Sequence, residues 1–313
     1  MSKEISLKQR GSLSANMRAN WQLYILLVIP IIFLAVFCYY PMYGVILAFK
    51  NYNPRMGIMG SPWAADFGLA NFTRFFSNYN FKEVLINTVV ISVYSIIATT
   101  SCSLVLAIGL NYVMNVRFKK IVQLISYSPY FISTIVVVGM INIMFNTRSG
   151  VFGRLFLSLT GMNLLAKANV FSSLYVWSGV WQGVGFGAII YIAALSSVDI
   201  QLHEAAIIDG ATILQRIRHI DLPSIMPTVM ILLILNMGRI LNVGYEKVLA
   251  MQNPNNLSMS EVISTYSYKI ALVSSIPDFA YSTAIGLFQS LVGLLLIFAV
   301  NNIARKLSGE SLW

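Results

Sequence analysis

Few side chains in this 313-residue sequence are of the types that make and break bonds, and their spacing gives none of them a catalytic role. His203 and His219 stand sixteen positions apart in one polar stretch. With no cysteine beside them and no HExxH spacing, they form no zinc site. Cys38 and Cys102 lie inside apolar runs and read as small buried side chains without a redox role. No GxxxxGK followed by Ser or Thr occurs, so the chain is not expected to bind and hydrolyse ATP itself. GxSxG is absent and no apolar run carries a histidine or paired acids, which argues against an intramembrane enzyme.

The polar chemistry is concentrated instead between Ser196 and Met226, a connection far longer than the usual helix-to-helix loop. Asp199 can cap a first short helix that presents Leu202, Ala205, Ala206 and Ile208 beside Glu204 and Asp209. Gly210 suits the left-handed residue that ends such a helix. Thr212 followed three residues later by Gln215 is a capping box for a second helix, with Ile213, Ile217 and Ile220 at helical spacing and Pro223 as its stop. An apolar patch ringed by acids fits either a groove on another protein or the membrane surface.

What must position this loop is membrane. The chain is 57% hydrophobic and 10% charged, with mean hydropathy +0.73, whereas a soluble domain keeps roughly a quarter of its residues charged. Six stretches approach the ~20 apolar residues that cross a bilayer: 22–46, 84–110, 121–145, 170–195, 227–243 and 281–303. The first is too long for a signal peptide core and reads as a membrane helix. Pro30 and Pro129 fall inside spans, where they are expected to kink a helix. Ser92, Ser95, Ala98, Thr99 and Ser101 in the second span, with Gly286 and Gly293 in the sixth, are close-packing signals.

The net charge of +10 comes from Lys and Arg scattered between apolar runs, which suits lipid head groups and not nucleic acid. Basic residues are denser in the shorter segments that would lie inside, including Lys3, Lys8, Arg10 and Arg18, so both termini are expected in the cytoplasm. The organisation expected is a cytoplasmic tail over 1–20 and one membrane domain over 21–313, with the loop 196–226 on the cytoplasmic side. Asn236, Arg239 and Asn242 on the fifth span, Tyr245 and Glu246 just after it, and Gln289 on the sixth either line a polar path or hydrogen-bond between helices.

Glu204-Ala205-Ala206, Asp209-Gly210-Ala211, Ile220, Leu222-Pro223 and Pro227 resemble the EAA loop of permeases from binding-protein-dependent ABC importers. Tyr40-Pro41-Met42-Tyr43-Gly44, Ala48-Phe49-Lys50, Ser61-Pro62-Trp63, Trp181-Gln182-Gly183-Val184-Gly185, Gly244-Tyr245-Glu246 and Ser311-Leu312-Trp313 are similar to its branch for oligosaccharides and polysaccharide fragments. Tyr245 stands where that branch is expected to carry Phe. The resemblance implies an all-α integral membrane protein of about six transmembrane helices, like a type I ABC importer permease, in a bacterial cell membrane.

It further implies that Glu204, Ala205 and Ala206 contact a separate ATPase dimer, which holds the ATP and Mg, while Gly210 permits the turn. This chain would carry no cofactor or metal of its own. A second, related permease subunit and an extracytoplasmic solute-binding protein would complete the assembly. A secondary transporter, for which inverted repeats would be expected, and an importer permease for a non-sugar solute are the alternatives.

Overall fold

A computed structural model describes residues 20–308, so the basic tail residues Lys3, Lys8, Arg10 and Arg18 and the final Ser311-Leu312-Trp313 lie outside the described residues. The elements that carry the argument are ten helices. They are α1 (Trp21–Phe33), α2 (Phe81–Tyr112), α3 (Val116–Tyr127), α4 (Thr134–Met144), α5 (Phe171–Ser196), α6 (Ile200–Ile208), α7 (Ile213–Arg216), α8 (Leu222–Met237), α9 (Tyr245–Met251) and α10 (Phe279–Ser308). Five stretches are long and apolar enough to cross a bilayer, and a bent pair makes up to six. That agrees with the expected number.

The first crossing, Trp21–Phe49, continues α1 through a π-helical turn, and Pro30 does not end it. Every residue from Trp21 to Tyr43 is exposed. A helix that is apolar on all sides and uncovered is suited to lipid. Cys38 lies on this stretch and is exposed, not buried as its apolar neighbours suggested, while Cys102 is half-buried. The far end of the crossing is anchored. Lys50 is buried, donates to the Met59 carbonyl at 2.9 Å and pairs with Trp63, which joins two of the short motifs.

Helices α2 and α5 form the central pair through small residues. Ser103 Oγ donates to the Val184 carbonyl at 3.2 Å, and a Cβ added to Gly187 would lie 2.8 Å from that hydroxyl. Of the small residues expected to pack, Ser92 and Ala98 are buried and Ser101 is exposed. On α10, a Cβ on Gly293 would meet the Gly238 carbonyl at 2.5 Å, whereas Gly286 faces open space.

Two spans depart from expectation. The stretch 121–145 is not one kinked helix: α3, extended by a 3₁₀ turn at Ser128–Phe131, meets α4 at 98°. Pro129 sits in that turn, Ile132 is extended, and Ser133 caps α4 by accepting from the Val136 amide at 3.4 Å. The carbonyl freed at Ile132 accepts from Gln182 Nε2 of α5 at 2.8 Å, so a neighbouring helix satisfies the break.

The fifth span begins earlier than 227. Pro223 does not stop the second loop helix, because α7 runs through a π-helical turn at Ile217–Asp221 straight into α8. Pro223 lies just after that π-helical turn, whose widened backbone accommodates a proline within the continuous helix. That span also ends at Met237, not 243, which leaves Arg239 and Asn242 in the turn beyond it.

Candidate functional site

The loop folds locally as its residue types dictate. Asp199 caps α6 by accepting from the Gln201 amide at 2.9 Å. Gly210 takes φ +79 at the turn, a conformation that L side chains avoid. Thr212 accepts from the Gln215 amide at 3.4 Å, and Gln215 Oε1 accepts from the Thr212 amide at 2.8 Å, which closes the capping box.

Glu204, Ala205, Asp209, Gly210 and Pro223 are exposed, whereas Ala206, Ala211 and Leu222 are half-buried. Around them Leu202, Ile207, Ile213 and Leu214 are also uncovered, and Ile208 is 85% exposed. Between the two short helices lies a cavity of about 340 Å³ lined by Ala206, Asp209, Gly210, Gln215 and His219. Four of the eight expected loop residues, Ala206, Asp209, Gly210 and Ala211, thus line this cavity, while Glu204 and Ala205 stand exposed on α6. Leu222 and Pro223 belong instead to the first turn of α8.

The loop is tied to the spans by groups that the sequence did not single out for this role. Asp221 is fully buried. Tyr112, the last residue of α2, donates to its Oδ2 at 2.6 Å, and His203 Nε2 of α6 lies 3.3 Å from its Oδ1. The Arg216 guanidinium stands over the Tyr112 ring, 5.4 Å from its centre. One carboxylate therefore joins α6, the π-helical turn and α2. An acid directly before Leu222-Pro223 at the start of an apolar run is the clue available in the sequence.

The second candidate region lies along the polar flank of α2. One cavity of about 340 Å³ is lined by Ser95, Thr99, Ser103, Tyr191 and Asn236. Another, of about 180 Å³, is lined by Ser92, Ser95, Tyr175, Asn236, Arg239 and Asn242. The two share Ser95, Ile96 and Asn236. Asn236, Arg239 and Asn242 are therefore brought together as expected, though from a helix end and a turn.

The other three expected pathway residues are placed differently. Gln289 donates to the Leu241 carbonyl at 2.7 Å and holds that turn against α10. Tyr245 stacks on Tyr268 with ring centres 5.2 Å apart. Glu246 is exposed in the first turn of α9 and forms no ion pair with Arg239. Behind the smaller cavity, buried Lys247 donates to the Tyr175 carbonyl at 2.9 Å and faces its ring. Burial pushes this ammonium down from its ordinary value to about 8. No cluster able to hold a metal ion occurs among the described residues.

Comparison with known proteins supplies the wider frame. Residues 103–309 match the family model described as binding-protein-dependent transport system inner membrane component. The chain is 38% identical to Protein LplB of Bacillus subtilis (strain 168), over 96% of this chain and 93% of that one. It is 36% identical to the polygalacturonan/rhamnogalacturonan transport system permease protein YteP of the same organism, over 93% and 90% of the two chains. Among solved structures it superposes with TM-score 0.85 on a chain of a bacterial alginate ABC transporter in complex with alginate pentasaccharide-bound periplasmic protein. That match has 30% identity and covers 96% of this chain and 99% of the other. The chain thus belongs to the binding-protein-dependent transport system inner membrane component family, as a multi-pass membrane permease subunit of the ABC transporter type.

Proposed function

We propose that this chain forms half of the pathway of an ATP-driven importer for oligosaccharides or polysaccharide fragments. A partner ATPase dimer supplies the energy, and this chain does not hydrolyse ATP. The saccharide reading draws on the transport systems for which its relatives are named. A second, related permease subunit completes the pathway and an extracytoplasmic solute-binding protein delivers the cargo. The domain over 21–313 sits with both termini in the cytoplasm of a bacterial cell, and the tail 1–20 lies there too.

The observation that carries the coupling role is the exposed surface of α6 and α7 around Glu204 and Ala205, with half-buried Ala206 beside it, together with its attachment to α2 through Asp221. An apolar face of this kind, ringed by acids and standing off the spans, suits a groove on the ATPase. The mechanism needs that attachment, because a rigid-body shift of α6 must reach the spans to bias their inward-open and outward-open packings. Gly210 provides the turn between the two short helices, while Leu222 and Pro223 carry the loop directly into α8.

The test is uptake into proteoliposomes that contain both permease subunits and the ATPases, with the loaded binding protein outside. Uptake of an oligosaccharide that requires ATP on the ATPase side is the expected result. Uptake driven by an ion gradient without the ATPases would support a secondary transporter instead.

A further inference from the structure

The short helix Val151–Thr160, between α4 and α5, has no part in the sites above. Its 10 residues extend about 15 Å at 1.5 Å per residue, half of the ~30 Å hydrocarbon core, so it cannot cross a bilayer. Its neighbours fix where it stands. The span Ala168–Ser196 begins eight positions after Thr160. Asn253 Nδ2, beyond the end of the span Ile213–Met237, donates to the Leu165 carbonyl at 2.9 Å. Both of those spans have their other end in the 196–226 loop. The helix therefore lies at the membrane surface remote from that loop.

Val151, Leu155 and Leu159 recur at every fourth position with Phe152 and Phe156 beside them, so one side of this helix is apolar. Its backbone is locked to the end of α4. Gly153 is buried, and a Cβ there would collide with the Asn146 carbonyl oxygen, as one on Gly150 would with that of Met144. Phe145 meets Phe152 with ring centres 5.6 Å apart. These contacts leave the apolar side uncovered: all five residues are exposed, Val151 by 70% and Leu159 by 74%. Ile135, Val136 and Ile143 of α4, which leads into it, are exposed too, as on a surface that faces lipid.

The charge around this face has one sign. Arg148, Arg154 and Lys167 are exposed, and none forms an ion pair among the described residues. No Asp or Glu occurs between Glu83 and Asp199. A short helix with an apolar side and cations off that side suits the lipid interface, its leucines and phenylalanines among acyl chains and its cations at the head groups. A guanidinium also matches a phosphate with two parallel hydrogen bonds.

We propose that the helix Val151–Thr160 docks in the lipid leaflet remote from the 196–226 loop, with Arg148 and Arg154 taking the phosphates of anionic phospholipids.

The test places a benzophenone maleimide on Leu155→Cys in the assembled transporter, held in nanodiscs of equal phosphatidylcholine and phosphatidylglycerol with the binding protein added. After illumination, mass spectrometry of the peptide that holds position 155 identifies what the probe has joined. The expected product is a phospholipid adduct in which phosphatidylglycerol exceeds phosphatidylcholine roughly fivefold or more, since each cation near an anionic surface gains about that factor. With Arg148→Gln and Arg154→Gln together the excess should fall towards parity, while co-purification of all subunits checks assembly. An adduct to the second permease subunit or to the binding protein overturns the proposal, because a protein then covers the face. So does the absence of any adduct, which would put the helix in water. Equal capture of the two lipids, or an excess unchanged in the double variant, overturns it as well.

Discussion

His203 Nε2 lies 3.3 Å from Asp221 Oδ1, and the other oxygen of that fully buried carboxylate accepts from the Tyr112 hydroxyl at 2.6 Å. The three residues come from α6, the π-helical turn before α8, and the end of α2. If this contact transmits motion, weakening it should separate ATP hydrolysis from transport. Tyr112→Phe removes one hydrogen bond to a charged acceptor, a loss of about 1.5–3 kcal/mol. The expected outcome is an assembled complex that hydrolyses ATP but imports less cargo per ATP. Uptake and hydrolysis measured on the same proteoliposomes check it, and an unchanged ratio would count against the role.

Gly210 offers a cleaner probe of the loop's shape. Its φ is +79 and a Cβ there would meet nothing within 4 Å, so a substitution is penalised by backbone conformation alone. Gly210→Val should cost about 1–2 kcal/mol or more of local stability, and Gly210→Asn less. Hydrogen exchange across residues 200–220 should rise in the valine variant and change little in the asparagine variant.

The contact of α10 with the turn after α8 depends on the absence of a side chain. Gly293→Leu must displace the Gly238 backbone, and overpacking of this kind costs about 1–3 kcal/mol. Gly286→Ala, on the same helix but facing open space, should shift stability by no more than about 0.5 kcal/mol. Melting of the two variants in one detergent compares them directly.

Lys247 predicts a pH dependence. Its ammonium is pushed from 10.5 down to about 8 in the folded chain, so between those values the unfolded chain holds the proton that the folded chain has lost. Stability should therefore rise as pH climbs from about 8 towards 10.5. In Lys247→Met that part of the rise should vanish, which paired thermal unfolding at pH 7.5 and 9.5 would reveal.

Local signals carried far in this chain. Asp199, Gly210 and the Thr212–Gln215 pair act on residues within a few positions, and each adopts the conformation its side chain favours. Long apolar runs likewise announce spans. What the sequence concealed depends on partners far along the chain. Gln182 satisfies Ile132 from 50 positions away and allows the third span to break. Gln289 reaches Leu241 from 48 positions away, so a side chain expected either in the path or between helices serves the latter role. Pro223 looked like a stop because a helix interior rejects proline, yet the preceding π-helical turn widens the backbone and the helix runs on through it.

The central claim is that the face around Glu204 is where this subunit meets its ATPase, and Glu204→Lys tests it most directly. Reversing a charge inside an interface costs about 2–5 kcal/mol or more, enough to release a partner during purification. Purification through a tag on this chain is expected to retain the second permease subunit and lose the ATPases, with uptake abolished. Full retention of the ATPases with undiminished uptake would contradict the account.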